Sequence, residues 1–331
     1  MDLSIIIPVY NINNYIIRCL DSCIDQDYDI PLYEILIIDD GSTDNTSQYI
    51  QKYIDAHPRH NIRLIHQNNK GISIARNVGI QYTTGKYIWF VDGDDFIEPY
   101  SIKKLITTSL KDNLDVLWFK YEEFTEKDKK IIETTSYPFG ETISGQDFFL
   151  SKYNGYHAVW LFLIKREYII KNKLFFKEGI IACEDLLFTP IAICLANKIA
   201  YIDIIAYHYM IRESSISHKI NSLSKKFECI IKVCFELQSF SINKIKNKKL
   251  NCYINNYIAL HVLNTLRDSI FFCSSSQFYL LYKEAQALGL IPIKYEGSVK
   301  VQFLISLLNI SSQLFKSYIL LRYRKQTKHK K

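Results

Sequence analysis

Short unbroken apolar runs alternate with stretches of helical spacing over the first hundred residues. Residues 3–7 (LSIII) are apolar and β-branched and stop at Pro8, which reads as a strand buried on both faces. Residues 14–26 then put Tyr15, Ile16, Cys19, Leu20, Cys23 and Ile24 on one helical face. The alternation repeats: a strand at 33–38 (YEILII), a helix after Asp44 carrying Ile50, Tyr53 and Ile54, a strand at 62–66 (IRLIH), a helix at 71–82, and a strand at 86–91 (KYIWFV). This predicts βαβ units around a mostly parallel sheet. Right-handed crossovers bring the strands' C-terminal ends to one edge, where open α/β sheets bind ligands. Polar clusters follow the strands at that edge: Tyr10 with Asn11, Asp39 with Asp40, and residues 92–95.

Further on the pattern predicts a strand at 115–121 (DVLWFKY), a hairpin or loop at 126–145, and a helix at 156–171. A helix opening at Glu184 and Asp185 and a strand at 199–209 follow. From about 221 onward the spacing is helical throughout. A boundary near 220 therefore divides an α/β domain (1–220, with a first half over 1–100) from a helical C-terminal region (221–331).

Composition narrows the classes. With 48% hydrophobic residues in 331, the chain can bury a core, so wholesale disorder is excluded. A mean hydropathy of −0.05 is too low for a polytopic membrane protein, and no apolar stretch reaches the ~18 residues of a membrane span. The net charge of +7 permits an anionic ligand, nucleic acid or membrane surface as partner, or simply a solvated basic surface. None of the eight cysteines forms a CxxC pair or a compact zinc-like cluster. No signal peptide opens the chain, so reduced thiols and a cytoplasmic setting are expected.

Three strand-end blocks bear chemistry. Asp92, Gly93 and Asp94 put two carboxylates two residues apart after a buried strand, an arrangement that can aim both at one hard divalent ion. A loop or helix cap would use the same residues. Asp39 and Asp40, ahead of Gly41 and Ser42, can accept hydrogen bonds from a base or a ribose; a βα turn explains the block except for Asp39. The stretch from Asn68 through Lys70, Gly71, Ala75, Arg76 and Gly79 opens a helix, where cations and free amides suit an anion or form an ordinary helix start.

With the segment IIIPVYN at 5–11, these blocks resemble family 2 glycosyltransferases of the GT-A fold over residues 3 to about 100. The resemblance implies an α/β nucleotide-sugar-binding domain. Pro8, Val9, Tyr10 and Asn11 would line the nucleotide pocket, with Asp40, Lys70, Gly71, Ala75, Arg76 and Gly93 contributing. Asp39 would read a uracil, Asp92 the ribose or the metal, and Asp94 a Mn²⁺ or Mg²⁺ ion bridging the donor's diphosphate, while Asp95 would brace the loop. Glu184 and Asp185 resemble the family's ED-x-x-[FW] element, which makes Asp185 the general base of an inverting displacement and Glu184 its backup. Both would otherwise serve the N-terminal dipole of a helix.

Trp160 resembles the tryptophan of the family's W-x-x-L element and either stacks on a sugar or joins the core. Residues 207–217 resemble the Y-x-Y-R…R-x-x-S-I-[ST] segment, with Met210 in place of the first arginine. Arg212 would clamp the diphosphate, and His208 or His218 would complete a metal shell or be structural.

The implied partners are a nucleotide-sugar donor, UDP-linked by the family's habit, and a glycan or lipid-linked acceptor of bacterial surface polysaccharide synthesis, without nucleic acid. Residues 301–324, an apolar helix with a basic edge and tail, would lie against the inner face of the plasma membrane or pack on the domain. Other classes fit less well: no glycine-rich triphosphate loop supports a nucleotidyltransferase, and Pro8 to Asn11 stand where a dinucleotide oxidoreductase needs GxGxxG. The intact set of carboxylates at 39, 92, 94 and 185 argues against a nucleotide-binding or scaffold protein of the same fold without transferase activity.

Overall fold

The computed structural model describes residues 1–125, 129–130, 141–151, 157–211 and 223–328. Two compact units divide the chain, Met1–Glu213 and Ser214–Lys331.

The first unit begins as the hydrophobic pattern predicts: β1 (Leu3–Val9), α1 (Ile16–Ile24), β2 (Tyr33–Asp39), α2 (Thr46–Ala56), β3 (Ile62–His66), α3 (Ile72–Tyr82) and β4 (Tyr87–Phe90). There follow β5 (Phe96–Ile97), α4 (Ile102–Asp112), β6 (Val116–Thr125), β7 (Lys129–Lys130), α5 (Gly145–Ser151), β8 (Phe162–Lys165), α6 (Arg166–Lys171), α7 (Asp185–Leu195) and β9 (Ile199–Ile211). One sheet holds all nine strands in the order β3-β2-β1-β4-β8-β6-β9-β5, with β7 on β6. Pairing is parallel from β3 to β4 and between β6 and β9, and antiparallel where β8 meets β4 and β6 and where β5 meets β9.

Every residue of β1 and β2 is buried, which explains their unbroken apolar sequence. Pro8 sits in a central strand at no cost to the ladder, because pairing of β1 with β4 ends at Ile6 opposite Phe90. Helix α3 lies close on β1: a Cβ on Gly79 would fall 2.4 Å from Ile6 Cγ2. Ala75, one turn earlier, is fully buried.

Residues 162–165 correct the helix expected over 156–171. They form a strand between β4 and β6, preceded by one 3-10 turn at Val159–Leu161, and among the described residues of that range the α-helix is confined to α6. Three apolar residues and a lysine (FLIK) satisfy either period, and pairing on both sides decides for the strand.

The second unit is helical: α8 (Leu223–Lys244), α9 (Lys248–Phe272), α10 (Ser275–Ala287), α11 (Val299–Ile310) and α12 (Ser312–Lys328). Asn247 caps α9 by accepting from the amides of Lys249 and Leu250, and Ser274 with Gln277 forms a capping box on α10. The single helix expected over 301–324 is two helices. Ser311 is extended between them, and its hydroxyl accepts from the Gln313 amide at 3.2 Å, which starts a new helix in place of continuing the old one.

Candidate active site

Sheet register sets the strand ends side by side. Val9 lies opposite Asp39, and Asp39 opposite His66. The ladder runs one step further, from the Asp40 amide to the Val9 carbonyl and from the Gln67 amide to the Asp39 carbonyl, both at 2.9 Å. Asn11 turns the chain after β1 in the left-handed region (φ 52°). Its amide donates to Ser42 Oγ at 3.1 Å, and its Oδ1 accepts from the Thr43 amide at 2.8 Å, stitching the loops after β1 and β2 together. The Tyr10 side chain beside it is exposed.

Asp39 is 2% exposed and ends β2. Its carboxylate accepts from the Ser42 amide at 2.9 Å and from Ser47 Oγ, with His66 Nδ1 at 3.2 Å. Burial alone would raise its pKa; the donors outweigh that and hold it below the usual carboxylate value. Asp40 instead clasps the loop after β3, accepting from Gln67 Nε2 at 2.6 Å and from the amides of Lys70 and Gly71, each at 2.8 Å. Those two amides, read from the sequence as open to an anion, are therefore already occupied.

The loop after β4 is braced from three sides. A Cβ on Gly93 would stand 2.5 Å from Ile12 Cδ1 and 3.0 Å from Val9 Cγ1, so the Asp-Gly-Asp turn lies close on the end of β1 and a larger residue there would have to displace the Ile12 side chain. Arg18 on α1 donates to the Asp94 carbonyl at 2.9 Å, and its guanidinium lies 4.8 Å from the Phe96 ring centroid. The Tyr207 hydroxyl accepts from the Asp92 amide at 3.1 Å and donates to Asp95 Oδ2 at 2.7 Å, while the Met210 amide donates to Asp95 Oδ1 at 2.7 Å. Asp95 thus braces the loop. Burial, with the charge of Asp92 adding to it, pushes its carboxyl well above the usual range.

Arg76 joins this loop to α7. It is 2% exposed on α3. One end of its guanidinium meets Asp92 Oδ1 at 2.8 Å and the other pairs with Glu184 Oε1. Burial would lower its pKa, but Asp92, Glu184 and Asp185 together raise it and hold the cation. The phosphate role expected for Arg76 is not what its contacts show, because both arms are taken by carboxylates. Glu184 is buried just before α7. Burial and then Asp185 push its carboxyl up, against the pull of Arg76. Asp185, the first residue of α7, is half-buried. Cys183, which turns the chain into α7, is left-handed at φ 61°, the kind of backbone strain that gathers at functional sites.

Trp160 is 8% exposed and stacks on Tyr207 (centroids 4.3 Å apart, planes 9° apart) and on Tyr209 at 5.6 Å. Its burial against those rings favours the core among the two readings of that residue. His208 is buried, stacked on Phe96 at 4.5 Å, with Nε2 2.5 Å from Glu98 Oε2 and Nδ1 3.5 Å from Glu122. Arg212 and His218 lie outside the described residues.

Sequence reasoning missed Arg18 and the Arg76–Glu184 pair. It named Tyr207 without its hydroxyl's grip on the Asp92 loop. Nothing local marks any of these, since each partner is at least 76 residues away. Among the described residues no group of three His, Cys, Asp or Glu side chains could hold a metal alone. Asp92 and Asp94 are two oxygen donors on a partly exposed loop. They fit a hard cation whose remaining ligands come from a bound phosphate and water.

The family model described as glycosyl transferase family 2 matches residues 4–180. YibD of Escherichia coli K12, described as an uncharacterized glycosyltransferase, is 35% identical over 223 residues, covering 65% of this chain and 63% of that protein. The chain therefore spans just under two thirds of that relative's length. Among solved structures, S. aureus TarS 1–349 in complex with UDP-GlcNAc superposes with a TM-score of 0.66 at 21% identity, covering 98% of this chain and 92% of that one. The mannosyltransferase PcManGT of Pyrobaculum calidifontis, in complex with GDP-Man and Mn²⁺, gives 0.54 at 14% identity, covering 99% and 88%. At these identities the structural likeness speaks to the fold.

Proposed function

This chain belongs to glycosyl transferase family 2 and has the GT-A fold, and from that premise we propose that it is a glycosyltransferase that moves a sugar from a UDP-sugar to an acceptor hydroxyl with inversion. The observation that carries the reading is the Arg76 bridge. One guanidinium ties Asp92, in the strand-end loop, to Glu184, the neighbour of Asp185. Donor-side and acceptor-side carboxylates are thereby held to one another.

In this reading Asp39 accepts a hydrogen bond from the uracil, and the segment Pro8 to Asn11 lines the nucleotide. Asp185 takes the proton of the acceptor hydroxyl as its oxygen attacks the anomeric carbon. The bond to the nucleoside diphosphate breaks on the opposite face, which inverts the centre. Asp94 and Asp92 would hold a Mn²⁺ or Mg²⁺ ion, which when bound offsets the charge gathering on the leaving diphosphate. TarS was solved with UDP-GlcNAc and PcManGT with GDP-Man and Mn²⁺, which supports a nucleotide-sugar as donor. The acceptor is a glycan or a lipid-linked saccharide of a bacterial surface polysaccharide; a lipid-linked one would put the reaction at the inner face of the plasma membrane.

The test is thermal unfolding with UDP, GDP, CDP and dTDP, each with and without Mn²⁺. A ligand at about 100 times its Kd adds about 2.7 kcal/mol, a shift of several degrees. A UDP shift that grows with Mn²⁺ is expected. A metal-independent shift with another nucleotide overturns donor and cofactor, and no shift with any nucleotide overturns the donor site.

A further inference from the structure

The net charge of +7 conceals a strong division. Residues 214–331 carry 19 Lys and Arg against 5 Asp and Glu, whereas residues 1–213 carry 22 against 29. The second unit is therefore basic and the first acidic.

The last two helices of the basic unit are apolar on two sides. In α11, Ile305 and Leu308 are buried. On the opposite side Val299 is 80% exposed, Phe303 48% and Ile310 72%. At about 100° per residue those three fall within about 40° of one another, forming a stripe and not a scatter. In α12, Phe315 and Ile319 are buried while Leu314 and Leu321 are more than half exposed. The stripes meet, because the Phe303 ring packs against Tyr318 with centroids 5.3 Å apart. Basic side chains border them: Lys300 beside Val299 and Phe303, and Arg322, whose guanidinium lies 5.8 Å from the Tyr318 centroid.

We propose that this joined stripe docks the second unit on an anionic lipid surface, with the apolar side chains in the headgroup boundary and the basic ones on the lipid phosphates. Charge selects the occupant. A second copy would bring another strongly basic unit against this one, whereas an anionic bilayer offers the complementary sign together with an apolar layer. Helices of 12 and 17 residues are short of the ~20 needed to span, so the contact is with the surface. The inference is independent of the donor-site reading, and its test does not use activity.

The full chain is floated with vesicles of phosphatidylcholine alone, or with about one third phosphatidylglycerol, at low and high salt. Expected are binding to the anionic vesicles at least about tenfold above the neutral ones, a fall of similar size between about 0.05 and 0.5 M salt, and a fall of about tenfold or more in Phe303→Ser/Leu321→Ser. Both positions are exposed, and circular dichroism melting checks that the variant is folded. Lys300→Gln/Arg322→Gln gives an independent arm, expected to weaken binding and its salt dependence. Absent binding, or equal binding to both vesicle types, overturns the proposal. A concentration-dependent dimer that the serine variant dissolves overturns it in favour of a second copy.

Discussion

Arg76 on α3 and Glu184 ahead of α7 form a buried ion pair across 108 residues of sequence, and the other arm of the same guanidinium holds Asp92. A buried cation with two carboxylate partners is costly to remove, because the carboxylates are left unpaired. Arg76→Met is expected to destabilise the protein by about 3 kcal/mol in urea denaturation. Glu184→Gln keeps an oxygen for Arg76 to bond and should cost clearly less. If the arginine acts by positioning, what Arg76→Lys retains in stability exceeds what it retains in transfer, since one ammonium cannot span both acids. Equal losses of the two would mark the pair as merely structural.

The same geometry separates two adjacent candidates for the base. Glu184 is buried and committed to Arg76, whereas Asp185 is half-buried at the start of the helix. Asp185→Asn is expected to lower kcat by about 10²–10⁴, the usual contribution of a general base, with donor affinity unchanged by calorimetry. Full turnover in that variant removes Asp185 from the role.

What the sequence made legible follows from range. β1, β2 and β4 are legible because each is an unbroken buried apolar run, and β3 because it follows β2 after one helix and pairs with it; the ends of β2 and β4 carry the carboxylates. β8 is not, because residues 162–165 fit a helix as well as a strand until β4 and β6 flank them. Asp40 reads as a ligand contact from its place after β2, yet its partners, Gln67, Lys70 and Gly71, are set by how the next βα loop folds back. Arg76 reads as a phosphate contact or an ordinary surface cation at a helix start; only the return of the chain at Glu184 makes it a buried tie.

Asp94 separates metal dependence from fold. Its backbone carbonyl is held by Arg18, so removing the carboxylate leaves that brace in place. Asp94→Ala is expected to keep a melting midpoint close to the parent's, to lose the Mn²⁺-dependent part of the UDP shift, and to lower transfer by about 10³ or more. Retained Mn²⁺ dependence would assign the cation to other residues.

Glu34 tests the carboxylate electrostatics of the same sheet at a position the proposed reaction does not use. It is 1% exposed on β2 and accepts from Ser4 Oγ at 2.7 Å, the Thr84 amide at 2.7 Å and Thr84 Oγ1 at 2.8 Å, with Arg63 Nη2 at 2.6 Å. Burial alone would raise its pKa, but these four donors hold it below the ordinary value. A carboxyl depressed in the folded state contributes its full stabilisation above its unfolded pKa of about 4.3, and that contribution fades as the pH falls through the folded value. Glu34→Gln is therefore expected to cost about 2 kcal/mol at neutral pH, because an amide nitrogen now faces donors, and to differ less from the parent as the pH drops below about 4. Urea denaturation across that range reads the difference. A deficit that stays constant with pH would mean the donors hold the shape of the side chain and not its charge.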